Sequence, residues 1–176
     1  MAKTTFSGPV QSLNGFIGAG KGNVVSVSDA TLTATINDHA GRVIALNNAT
    51  CIVTLPTISD AADSAVAGPN DYNSGNNLGA TFTFAFETAA SNLDIKTDGT
   101  DKFIGSVANI NTTDNAVVSF VPAASNDVMT FNGTTTGGKV GSVVKVTALA
   151  DNKYIVEGMN ICTTTAGNTA TVFADA

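Results

Sequence analysis

Apolar and polar residues alternate over short stretches of this chain, and no stretch keeps a helical spacing over 12 residues. Residues 30–36, Ala-Thr-Leu-Thr-Ala-Thr-Ile, alternate throughout, and residues 80–86 place Phe82, Phe84 and Phe86 on one face. Period-2 runs rich in Thr, Val, Ile and Phe predict strands with one buried side. Further strands are predicted over 42–46, 51–55, 93–96, 102–107, 116–121, 128–131, 142–148, 153–158 and 170–173. Turn-forming pairs separate them, among them Asn132-Gly133, Asp98-Gly99 and Asp151-Asn152. Many short strands at this spacing predict an all-β fold over residues 29–176, an antiparallel sandwich or barrel of jelly-roll type.

Two segments leave the pattern. Residues 1–28 hold several Gly and Ser with scattered apolar side chains, Phe6, Val10, Leu13, Phe16 and Ile17, and read as an extended N-terminal arm. Residues 59–79 are rich in Ala, Asp, Asn and Gly, with Pro69 and Tyr72 near the centre, and read as one long loop. Loops of that length within a compact domain are commonly functional or ordered by a partner.

Composition narrows what such a fold could do. Hydrophobic residues make up 43% of the 176, enough for a substantial core, whereas charged residues are only 12%, about half the usual share. The polar surface is therefore mostly Thr, Asn, Ser and Gly. The net charge of −6 and the pI near 4.4 argue against a nucleic-acid partner, which needs clustered Lys and Arg. Lys3 and Lys21 make the arm basic, leaving six bases against 14 acids, or −8, in the remainder. No apolar run approaches the roughly 18 residues of a membrane span. The N-terminus lacks the apolar centre of a secretory signal, so no secretory address is expected. Cys51 and Cys162 each sit in an apolar stretch and read as buried free thiols of a protein made in a reducing cytoplasm.

Candidate chemistry is sparse. Gly133-Thr-Thr-Thr-Gly-Gly-Lys139 and Gly15-Phe-Ile-Gly-Ala-Gly-Lys21 each match most of a phosphate-binding loop. Both then lack the magnesium-binding hydroxyl, with Val140 and Gly22 in its place. His39 beside Asp38 lies between two strands, where a turn histidine bonded to backbone is expected. Asp94, Asp98 and Asp101 miss the calcium-loop spacing and read as solvated turn carboxylates. The sequons at Asn48, Asn111 and Asn132 read as turn chemistry. With one His, no Trp, two Tyr and only Glu87 and Glu157 as glutamates, no enzyme, cofactor or metal is expected.

Several stretches resemble known virion proteins. The opening Ala2-Lys-Thr-Thr-Phe-Ser-Gly-Pro-Val-Gln-Ser-Leu-Asn-Gly-Phe16 resembles the start of small virion proteins of tailed bacteriophages. Asp38-His-Ala-Gly-Arg-Val-Ile-Ala-Leu-Asn-Asn48, with Val53-Thr-Leu-Pro56, is similar to a segment of phage head-decoration and head-fibre proteins. So is Phe131-Asn-Gly-Thr-Thr-Thr-Gly-Gly-Lys-Val-Gly-Ser142, leading to the strand Tyr154-Ile-Val-Glu-Gly158. The resemblance implies an all-β homotrimer that sits on the outer capsid surface of a virion, bound to the major capsid protein, after synthesis in the host cytoplasm. The function expected is that of a decoration or cement protein. A receptor-binding module of a tail or head fibre is the alternative, disfavoured by a short chain without shaft repeats. On this reading Phe6, Val10, Leu13, Phe16 and Ile17 anchor the arm on the capsid, because a segment too apolar for a linker and too Gly-rich for a core orders on a partner.

Overall fold

The structure, a computed structural model, describes residues 23–59 and 77–176. Among the described residues twelve strands form in chain order. They are β1 (Val24–Val27), β2 (Thr31–Thr33), β3 (Val43–Leu46), β4 (Ile52–Thr54), β5 (Thr81–Phe86) and β6 (Leu93–Lys96). After them come β7 (Lys102–Asn111), β8 (Val117–Phe120), β9 (Val128–Phe131), β10 (Val143–Ala150), β11 (Lys153–Cys162) and β12 (Phe173–Ala174). One short helix, α1 (Ile36–His39), and a 3-10 turn, Thr165–Asn168, complete the described elements. The all-β expectation holds. The strand β1 arises inside the segment read as an arm, and the run predicted over 30–36 is strand only through Thr33.

That run breaks because of local capping. Thr35 is the N-cap of α1: its hydroxyl accepts from the Asp38 N–H at 3.2 Å and donates to the Asp38 carboxylate at 2.9 Å. The Thr-x-x-Asp spacing is that of a helix-starting box, and here it prevails over the alternation.

The strands make a seven-stranded sheet, in the order β1-β3-β5-β10-β11-β7-β8, and a five-stranded sheet, in the order β12-β9-β6-β4-β2. Wholly antiparallel pairing was expected, and here the structure corrects the sequence reading. The pairs β1–β3, β3–β5, β7–β11, β2–β4 and β4–β6 are parallel, so both sheets are mixed. The cause is the chain's path. From β1 to β7 each successive strand crosses to the other sheet, so β1, β3 and β5 return to the first sheet in the same direction. The crossover that parallel neighbours require is supplied by a strand of the opposite sheet rather than by a helix.

Both sheets contribute to one core. Phe82, Phe84 and Phe86 are all buried, together with Ile44, Leu46, Val144, Val146 and Tyr154 from the larger sheet. Val53, Leu93, Ile95, Met129 and Phe131 come from the smaller one. Phe86 meets Phe131 edge to face across the two sheets, with ring centroids 4.9 Å apart, a favoured aromatic geometry. Close backbone approach is required at Gly105 in β7, where φ is +101° and a Cβ would lie 2.2 Å from the Val156 carbonyl oxygen.

Candidate interaction surface

The larger sheet turns its other face away from the core, and that face is the most distinctive surface of the described molecule. Strand register aligns Ser26, Ala45, Ala85, Val143, Met159 and Ala108 in one transverse row that continues to Ser119. The row crosses all seven strands and contains no charge. Its first five members run over β1, β3, β5, β10 and β11, where all five line two shallow depressions that share Gly141. One depression, of about 590 Å³, includes Val24, Ser26, Ala45, Ala85, Glu87 and Val140. The other, of about 440 Å³, includes Val143, Met159, Ile161 and Ile110.

The adjacent row reads Val24, Val43, Thr83, Lys145, Glu157 and Ser106. Its two charges neutralise each other, with Lys145 Nζ donating to Glu157 Oε1 at 2.6 Å. Large apolar side chains stand exposed on this face: Val24 at 49%, Met159 at 62% and Val117 at 64%. Single exposed apolar residues are ordinary, but several on one sheet face, around a row without charge, mark a contact surface.

The polar groups inside the fold are structural. Asn160 and Asn109 are fully buried: Asn160 accepts from the Gly138 N–H at 2.6 Å and donates to Asn109 Oδ1 at 2.7 Å and to the Thr136 carbonyl at 2.9 Å. Asn109 in turn donates to the Gly167 and Ala170 carbonyls. This network ties the Gly-rich turn and the 3-10 turn to β7 and β11. It also settles the first phosphate-loop resemblance. The Gly133, Thr134, Thr136, Gly138 and Lys139 amides all donate within the protein, so they do not converge on an anion. The second such motif, residues 15–21, lies outside the described residues.

The carboxylates behave differently from one another. Asp98 takes the Thr57 hydroxyl at 2.7 Å and the Thr100 and Asp101 amides. Burial alone would raise it, but these hydrogen bonds together hold it below the ordinary carboxylate value. Asp101 was expected to be solvated and is fully buried. Its Oδ2 accepts from the Ile58 N–H at 2.8 Å, while Oδ1 meets no donor among the described residues. Burial pushes its pKa up, partly countered by the Ile58 bond, and the nearby Asp98 and Asp151 add to the rise. Beside it, the Tyr154 hydroxyl donates to the Pro56 carbonyl at 2.6 Å and is also pushed up, by burial first and then by Asp101 and Asp98. These bonds fasten the base of the long loop, which Ser59 and Asn77 close by mutual hydrogen bonds at 2.9 Å. The rest of that loop, residues 60–76, lies outside the described residues.

His39 sits in α1, its Nδ1 accepting from the Thr35 N–H at 3.0 Å, as a backbone-bonded turn histidine does. Cys51 and Cys162 are free and buried, and burial raises both thiols. Among the described residues no three His, Cys, Asp or Glu side chains gather closely enough to hold a metal ion. Nor is any described helix long and apolar enough to cross a membrane.

Phe6, Val10, Leu13, Phe16 and Ile17, the residues assigned to anchoring, lie outside the described residues. Sequence reasoning did not find the transverse row. Its members are spread from Ser26 to Met159, and only strand register aligns them. Searches of protein-family models, of curated proteins and of solved structures find no match to this chain.

Proposed function

We propose that the protein is a virion structural protein that binds the outer surface of a tailed-phage capsid and reinforces it, as decoration or cement proteins do. The observation that carries this reading is the broad outer sheet face, whose central charges are already paired with each other. Such a face can be covered over a wide area without stranding an unpaired ion, the costly event in burying a polar surface. The buried side chains of Asn109, Asn111 and Asn160 agree with this reading, since their hydrogen bonds hold turns in place.

On this reading the two sheets are the layers of a sandwich, the part of residues 1–28 that precedes β1 forms an arm, and Phe6, Val10, Leu13, Phe16 and Ile17 enter depressions on the major capsid protein. The copies are trimers. The larger sheet ends in two short uncharged strands, Val-Val-Ser-Val in β1 and Val-Val-Ser-Phe in β8. Uncharged edges need cover, and a closed cyclic assembly gives it. Three linked arms then strengthen attachment through effective concentration.

The test is to add purified protein to capsids lacking it and to image the particles by cryo-EM. Three-fold densities on the shell, with a higher temperature of capsid rupture, are the expected result. A chain starting at Asn23 should bind at least tenfold more weakly. Density on the tail alone, or no binding, would sink the proposal.

A further inference from the structure

The uncharged row on the larger sheet begins at β1, and β1 is also where residues 1–22 join the described domain. We propose that in the free protein residues 4–20 lie across this row on their own chain, covering its exposed apolar side chains. Four observations converge on that occupant.

The first is position. Val24 and Ser26 line the depression at the β1 edge, so the preceding chain enters at one end of the row. The second is length. Seven strands about 4.8 Å apart span roughly 29 Å, which an extended chain crosses in about nine residues at about 3.3 Å each. The sequence supplies 22 before Asn23.

The third is shape. Ser26, Ala45, Ala85 and Ala108 make a floor of small side chains, which leaves depth for larger ones laid over it. The segment brings Phe6, Val10, Leu13, Phe16 and Ile17. The fourth is charge. Residues 4–20 contain no charged side chain, which matches the uncharged row. Lys21 follows them three positions before Val24. Glu87 lines the depression at that end and makes no ion pair among the described residues.

Seating the segment there keeps five large apolar side chains and the exposed sheet face out of water at the same time. The capsid reading would need those side chains to leave the row on meeting a shell. The docking itself is a property of the unbound protein and is tested without capsids.

Two measurements on the full chain decide it. A benzophenone amino acid placed at Met159, which is well exposed, should cross-link on illumination to residues 4–20 of the same chain. Cleavage after Lys21 by a lysine-specific protease should be slow, and at least tenfold faster in Ala85→Asp. Met159→Asp should show the same acceleration and, being at an exposed site, keeps the measurement valid if Ala85→Asp fails to fold. Cross-links only to a second copy or to no part of residues 4–20, or cleavage equally fast in the unaltered chain, would overturn the proposal. Failure to bind capsids, measured separately, bears on the function and leaves this result standing.

Discussion

Single residues carry the clearest energetic signatures, and Asp101 is the sharpest. Its carboxylate is buried with one oxygen bonded to Ile58 and the other unpartnered among the described residues. A buried acceptor without a donor costs on the order of 1–3 kcal/mol, more when charged. Because the folded pKa is raised, Asp101 opposes folding once it ionises. Its destabilising effect is absent below the ordinary carboxylate range and grows as pH rises through the raised folded value. Asp98 and Asp127 act in the opposite sense. For Asp127, burial raises the pKa, but the Lys102 ammonium at 2.7 Å and the Ala176 N–H together lower it. Their stabilisation is present above the ordinary range and is lost as pH falls through the lowered folded values. Asp101→Asn keeps an acceptor for Ile58 and removes the charge. We expect it to raise stability by about 1 kcal/mol at pH 7, with the gain vanishing near pH 3. Denaturant titrations at the two pH values measure this directly, and an equal gain at both would contradict the assignment.

Among the elements, β7 and β11 show how polar residues can extend strands rather than end them. Alternation predicts β7 to stop at residue 107 and β11 at residue 158, but they continue to Asn111 and Cys162. The added residues include Asn109, Asn111 and Asn160, which face inward where apolar residues would be expected. They are tolerated because each reaches backbone or side-chain partners in the neighbouring turns. A network of this kind stands or falls together. Asn160→Ala leaves the Gly138 N–H and Asn109 Oδ1 without their partner, and should cost about 2–3 kcal/mol. Hydrogen exchange should then rise at Gly138 and in residues 163–170 while the strands β3 and β5 stay protected. By contrast, β6 and β9 match their predicted bounds, since their buried positions are filled by Leu93, Ile95, Met129 and Phe131.

At the scale of the whole molecule, stability rests on the contact between two mixed sheets. Phe86 lies where β5 meets β9 and the Gly-rich turn, and a Cβ on Gly138 would sit 2.7 Å from Phe131 Cβ. That seam has no spare room. Phe86→Ala should therefore leave a cavity that cannot collapse, at a cost of about 3–5 kcal/mol. Met159→Ala, on the opposite face of the same sheet, should cost about 1 kcal/mol, less than the core substitution because only the docked residues 4–20 cover that side chain. The pair separates core from contact surface in one set of urea melts. No loss for Met159→Ala would show that the outer face is uncovered in the free protein, against the docking of residues 4–20.

The sequence by itself determined the all-β class and the inward stripe of Phe82, Phe84 and Phe86. Each follows from period-2 alternation, which needs no knowledge of neighbours. Tertiary structure alone decided strand direction, the burial of Asp101, and the row from Ser26 to Ser119. Alternation records which face of a strand is buried and is identical for parallel and antiparallel partners. The crossing of β1 through β7 between two sheets therefore left no mark in the pattern. The row depends on register across seven strands drawn from positions 26 to 159, and register is fixed only when the two sheets close on their shared core.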